Sequence, residues 1–153
     1  MKKMSISLMM LFLCGILLGT NNPKAVLKKE KSSKKIKLLL LEIDGPIQLF
    51  SKVVDTYEWV EVNENNFREV KTGVVKQYYM GTNQQEEVEY VINANFKKVA
   101  KKYFKDTPEL AKKIGKRGFR YENLPFMILY HNKLVNKEGA LTTADVKQWQ
   151  LLN

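Results

Sequence analysis

The chain has 153 residues and carries 26 lysines and arginines against 16 acids, a net charge of +10. That length holds one hydrophobic core rather than two domains. A single cysteine, Cys14, and a single histidine, His131, exclude a disulfide framework and the usual zinc sites.

Met1-Lys2-Lys3 gives a positive start, and Met4 to Leu18 is an almost unbroken apolar run. Gly19-Thr20-Asn21-Asn22-Pro23-Lys24-Ala25 then turns small and polar. This order predicts a secretory signal peptide over residues 1–25, cut somewhere between 19 and 25. The run is shorter than the roughly 20 apolar residues a membrane-crossing helix needs. Leu13, before Cys14, is not the small residue a lipobox requires. The expected product is exported, to the periplasm or the cell surface, with no cysteine left for disulfide or thiolate chemistry.

Residues 26–35, Val26-Leu27-Lys28-Lys29-Glu30-Lys31-Ser32-Ser33-Lys34-Lys35, read as a basic, solvated linker. Ile36 to Ile43 is a short apolar run ended by Asp44-Gly45-Pro46, so it reads as a strand and a turn. Ile47–Val54 is the returning strand of a hairpin. Tyr57–Val62 is another candidate, broken by Asn63-Glu64-Asn65-Asn66. Phe67–Met80 holds at least one strand, and Glu86–Ile92 closes the β part.

The period then changes from 2 to 3.6. Phe96, Val99, Ala100, Tyr103 and Phe104 make one stripe of a helix capped by Asn93 or Asn95. Asp106-Thr107-Pro108-Glu109 starts a second helix, ended by Gly115 or Gly118. Asn123-Leu124-Pro125 starts a third, apolar on most sides, and Thr142 or Thr143 caps a short last one through Trp149. Strands first and helices after predict a single α+β domain over 36–153. Its antiparallel sheet has about four to six strands, at 36–92, and three or four helices, at 95–150, pack on it.

Charge is unevenly placed. Residues 55–90 hold eight acids against three bases. Residues 97–120 hold ten bases (Lys97, Lys98, Lys101, Lys102, Lys105, Lys112, Lys113, Lys116, Arg117 and Arg120) against Asp106 and Glu109. These ten are the candidate binding residues, and their partner class is an anionic macromolecule or envelope surface: protein, polysaccharide or lipid headgroups. Nucleic acid would be attracted too, but an exported protein seldom meets it. The bland counterpart is a solubilising outer helix face. The acidic strands and basic helices also suit each other, within one molecule or between copies.

The words Leu41-Glu42-Ile43-Asp44-Gly45-Pro46-Ile47-Gln48-Leu49-Phe50, Asn95-Phe96-Lys97-Lys98, Tyr103-Phe104-Lys105-Asp106-Thr107-Pro108-Glu109-Leu110, Lys113-Ile114, Asn123-Leu124 and Tyr130-His131-Asn132 carry a resemblance over roughly 38–134. Together they resemble a group of small uncharacterised exported proteins of Gram-negative bacteria. The resemblance implies a hairpin followed by a helix start and assigns no activity. In that group cysteine often stands at the position of Thr107, and Asn directly follows the tyrosine. Here Thr107 stands in place of cysteine and His131 intervenes after Tyr130, departures that bear on any disulfide or contact inferred from the group and not on the fold.

Chemistry-bearing patterns are few. His131 has no second His or Cys beside it, so no metal or cofactor is expected. Ser32, Ser33 and Ser51 lack a nucleophile-elbow setting. Glu58, Glu61, Glu87 and Glu89 could supply the two carboxylates of a small hydrolase, although acids alternating on strands usually form a solvated face. Three readings stand: a non-enzymatic binding domain using the basic helical face, a carboxylate-dependent hydrolase, and a structural subunit of a cell-envelope assembly.

Overall fold

A computed structural model describes residues 24–137. Apart from Lys24 and Ala25, the expected signal peptide lies outside these residues, as does the helix expected to end at Trp149.

Five strands run in chain order: β1 (Lys24–Glu30), β2 (Ile36–Ile43), β3 (Ile47–Asn63), β4 (Asn66–Thr82) and β5 (Glu87–Val91). Each pairs antiparallel with the next, and β1 meets β5 in a short parallel contact, Lys29 to Glu87 and Glu30 to Val88. The sheet is thereby a closed barrel. Three helices follow: α1 (Phe96–Tyr103), α2 (Pro108–Ala111) and, after a 3-10 turn (Tyr121–Asn123), α3 (Leu124–Val135).

Strand alternation divides the apolar residues into two cores. Leu39, Phe50, Tyr79 and Val88 fill the barrel, with Val26, Leu41 and Tyr90 against them. Ile43, Ile47, Leu49, Met80 and Val91 point the other way, onto Phe96, Val99, Ala100, Phe104, Leu110, Leu124, Met127 and Ile128 of the helical segment. The helices therefore cap one flank of the barrel.

The expected α+β architecture is corrected. The fold is dominated by one five-strand antiparallel sheet, and only α3 is a long helix. β3 and β4 have 17 residues each, whereas α1, α2 and α3 have 8, 4 and 12. Two misread segments account for the difference. Val26–Lys35, expected as a linker, is most of β1 and the turn into β2. Its alternation is hidden because the inward positions after Val26 are Lys28 and Glu30. Glu30 is only 5% exposed. Its carboxylate accepts from Ser32 and Ser33, each at 2.8 Å, and lies 2.6 Å from Lys37 Nζ. Asp55-Thr56, expected between two strands, continues β3, and an extra residue of β4 at Thr72 is absorbed as a bulge opposite Thr56 and Tyr57.

The helix starts fall where the period predicts, but their caps differ. Asn95 gives α1 no side-chain cap. Its amide reaches back instead, accepting from Ile92 N–H at 2.9 Å and donating to Tyr90 O at 2.9 Å, which ties α1 to the end of β5.

Candidate functional site

The ten candidate bases are all exposed. Burial of Phe96, Val99 and Ala100 turns the α1 lysines outward, as the helical repeat requires. Among the described residues only one of the ten has a carboxylate partner: Lys102 pairs with Glu89 of β5. Lys102 also lies over the Tyr103 ring, 5.0 Å from its centre, and Lys113 lies over Phe119 at 5.4 Å. The stem of Lys97 crosses Gly115, where a Cβ would stand 2.6 Å from Lys97 Cε and φ is +87°. The fold thus brings Lys97 beside the Gly115-Lys116-Arg117 turn and directs Lys102 away, toward β5.

Lys102 and Lys105 line a separate cleft of about 320 Å³, bounded by Pro46, Thr82, Tyr103, Asp106 and His131. His131 is buried, and its Nδ1 lies 2.8 Å from Thr107 Oγ1. The Thr107 hydroxyl donates to Phe104 O at 3.2 Å, so His131 Nδ1–H donating to Thr107 satisfies both groups. Burial pushes the imidazole pKa down, and the Asp106 charge partly opposes that shift. Thr107 and His131 therefore join the α2 start to α3 as a neutral hydrogen-bonded pair. Tyr103 donates to Met80 O at 3.0 Å, and burial pushes its phenol well up. The cleft wall thus carries groups engaged in holding the fold.

Of the candidate carboxylates, Glu87 and Glu89 share a face of β5, two residues apart, and each is engaged by a lysine. Glu58 and Glu61 lie on opposite faces of β3, by strand alternation. Glu87 lies 3.1 Å from Lys34 Nζ, whose hydrogen bond lowers its pKa, and Glu89 is held by Lys102. Among the described residues no cluster of three or more His, Cys, Asp or Glu could hold a metal ion. No described helix is long and apolar enough to cross a membrane.

One feature was not foreseen. Beyond Ser51, β3 has no β2 partner, and before Tyr78, β4 has no β5 partner. Segments 52–63 and 66–77 pair only with each other and run on from the barrel as a two-stranded ribbon about 40 Å long. One ribbon face carries Val53, Tyr57, Trp59, Phe67 and Val74, all more than half exposed. The other carries Val54, Val60, Val70 and Val75. Apolar residues on both faces of one hairpin are the sequence signal for it, because a strand with a single core alternates apolar with polar.

No protein family, curated protein or solved structure matches this chain.

Proposed function

We propose that the protein is a non-catalytic, exported binding module whose basic surface, formed by α1 and the turns between α1 and α3 rather than by two helices, engages an anionic macromolecule of the cell envelope. The observation that carries this reading is that nine of the ten bases between Lys97 and Arg120 have no carboxylate partner among the described residues. Unneutralised lysines around the Gly115 turn make a positive field that attracts carboxylate, sulfate or phosphate groups of a partner. The opposite faces of Glu58 and Glu61, and the lysines that engage Glu87 and Glu89, argue against the hydrolase alternative.

The test is retention of the purified chain on an immobilised anionic polysaccharide and on vesicles containing anionic lipid, at low and high salt. Changing Lys98, Lys101 and Lys112 together to Glu removes three cations that make no described contact. The triple variant should lose salt-sensitive retention while its circular dichroism spectrum stays unchanged. Undiminished retention would overturn the reading.

A further inference from the structure

The ribbon is the part of the molecule whose surface is least accounted for. A lone two-stranded hairpin is marginal in water, and this one shows apolar side chains on both faces. It also has two free strand edges, 52–63 on β3 and 66–77 on β4, with no strand partner among the described residues. Long free edges are templates for another strand.

The two edges differ in charge. Between Val53 and Asn63, β3 carries Asp55, Glu58 and Glu61 and no base. Between Asn66 and Gln77, β4 carries Arg68, Lys71 and Lys76 against Glu69. Two β3 edges brought together would gather six acids on adjoining strands, and no register between Val53 and Asn63 sets an acid opposite a base. Joining β3 to the β4 of another copy in antiparallel fashion would point both ribbons the same way. Their barrels would then stand two strands apart, about 10 Å, which is no wider than one helix with its side chains.

The remaining antiparallel arrangement joins β4 to β4 about a two-fold axis and sends the two barrels to opposite ends. The sequence around Val70 is self-complementary for it. With the axis through Val70, Glu69 of each copy lies opposite Lys71 of the other, and the bulge at Thr72 bounds the regular pairing on either side. Lys71 already lies 2.7 Å from Asp55 across the ribbon, on the face it shares with Glu69. In the pair, it would stand between two acids. We infer that the protein forms a symmetric dimer by antiparallel pairing of the β4 edges around Val70, which makes one four-stranded sheet from two ribbons. This surface is distinct from the basic one on α1 and the turns that follow it, so the inference does not depend on the function proposed above.

Sedimentation equilibrium of the processed full chain tests it. The native chain should show twice the mass of one chain, in a concentration-dependent manner. Glu69→Lys sets like charges opposite each other and should shift the mass to that of the monomer, and Glu69→Lys with Lys71→Glu should restore the dimer. Val70→Cys, in a chain with Cys14 absent or replaced by Ser, should cross-link to itself on mild oxidation, whereas Val54→Cys should not. A native chain that stays monomeric at every concentration would overturn the inference. A dimer that Glu69→Lys leaves intact, or that Val70→Cys fails to cross-link, would overturn it equally. The Lys98, Lys101, Lys112 triple variant should remain a dimer, which separates failure of the dimer from failure of the basic surface.

Discussion

Asn132 of α3 pairs with both backbone groups of Ile47 at the start of β3. Its Oδ1 accepts from Ile47 N–H at 3.0 Å, and its Nδ2 donates to Ile47 O at 2.8 Å. A side-chain amide thus does for the strand end what a neighbouring strand does elsewhere, and all of these groups are buried. Gly45 lies against the same amide: a Cβ there would stand 2.5 Å from Asn132 Nδ2, at a φ of +144°.

Replacing Asn132 by Ala strands a buried N–H and a buried carbonyl at once. Each such group costs about 1–3 kcal/mol, so Asn132→Ala should lower stability by about 2–6 kcal/mol. Gly45→Ala should cost about 1–3 kcal/mol through backbone strain and the clash with Asn132. Urea unfolding of the two variants measures both, and a loss under half a kilocalorie for Asn132→Ala would contradict the role given to it.

Glu30 and Lys37 make the second expected effect. Burial alone would raise the Glu30 pKa, but the bonds from Lys37, Ser33 and Ser32 outweigh it and the net shift is down. The Lys37 pKa moves up, chiefly through its bond to Glu30. Glu30 therefore contributes stability that is present above pH 4.5 and is lost as pH falls through its lowered folded value. Lys37→Met leaves the carboxylate buried without its cation. The loss at neutral pH should be about 3 kcal/mol, at the low end for a buried pair because Lys37 keeps some solvent exposure. The acid dependence should also reverse: the variant should gain stability as pH falls from 7 toward 5, because protonation then favours the fold. A pH series of unfolding midpoints reads this directly.

His131 titrates in the opposite sense to a salt-bridged histidine. Its folded pKa lies below 6.5, from burial first, with Asp106 working the other way. Between that folded value and 6.5 the unfolded chain binds the proton and the folded chain does not, so stability should rise with pH across this window and level off above it. His131→Gln should remove this part of the pH profile. Asp106→Asn should widen it by removing the one charge that holds the pKa up. A profile unchanged in His131→Gln would mean that the imidazole is solvated.

How much of this was legible in the residues follows from what each segment hides. Ile36–Ile43 and Glu87–Val91 were readable as strands because β-branched and apolar runs end there at turn residues. The starts of α1 and α3 were readable from the change of period at Phe96 and from Leu124-Pro125. β1 was hidden because two of its inward positions hold Lys28, whose ammonium reaches out to Gln85 O, and Glu30, whose carboxylate is met by Lys37 and two serines. The ribbon was hidden because Asp55-Thr56 and Thr72-Gly73 look like breaks, and a bulge absorbs the extra residue without ending either strand. The ten bases were legible as a cluster, but not that Lys102 leaves it for Glu89. The pairing of Thr107 with His131, 24 positions apart, has no local signal at all.

The last expectation concerns the division of labour between barrel and ribbon. None of the residues 57–72 belongs to either core cluster. Thr56 pairs with Gly73, so replacing residues 57–72 by Asn-Gly leaves a two-residue hairpin of the favoured kind across an existing pair. The shortened chain should unfold within about 1 kcal/mol of the native one, because surface residues away from the core carry little stability. It should also sediment as a monomer. A large drop in stability would show that the ribbon folds back on the barrel, whereas preserved dimerisation would place the contact on another surface. The retained Ser51, which bonds to Glu42 while Glu42 Oε1 lies 3.2 Å from Lys76 Nζ, marks the last part of β3 that the barrel itself holds. Beyond it the two strands pair only with each other, and the shortened chain measures how far the barrel stands without them.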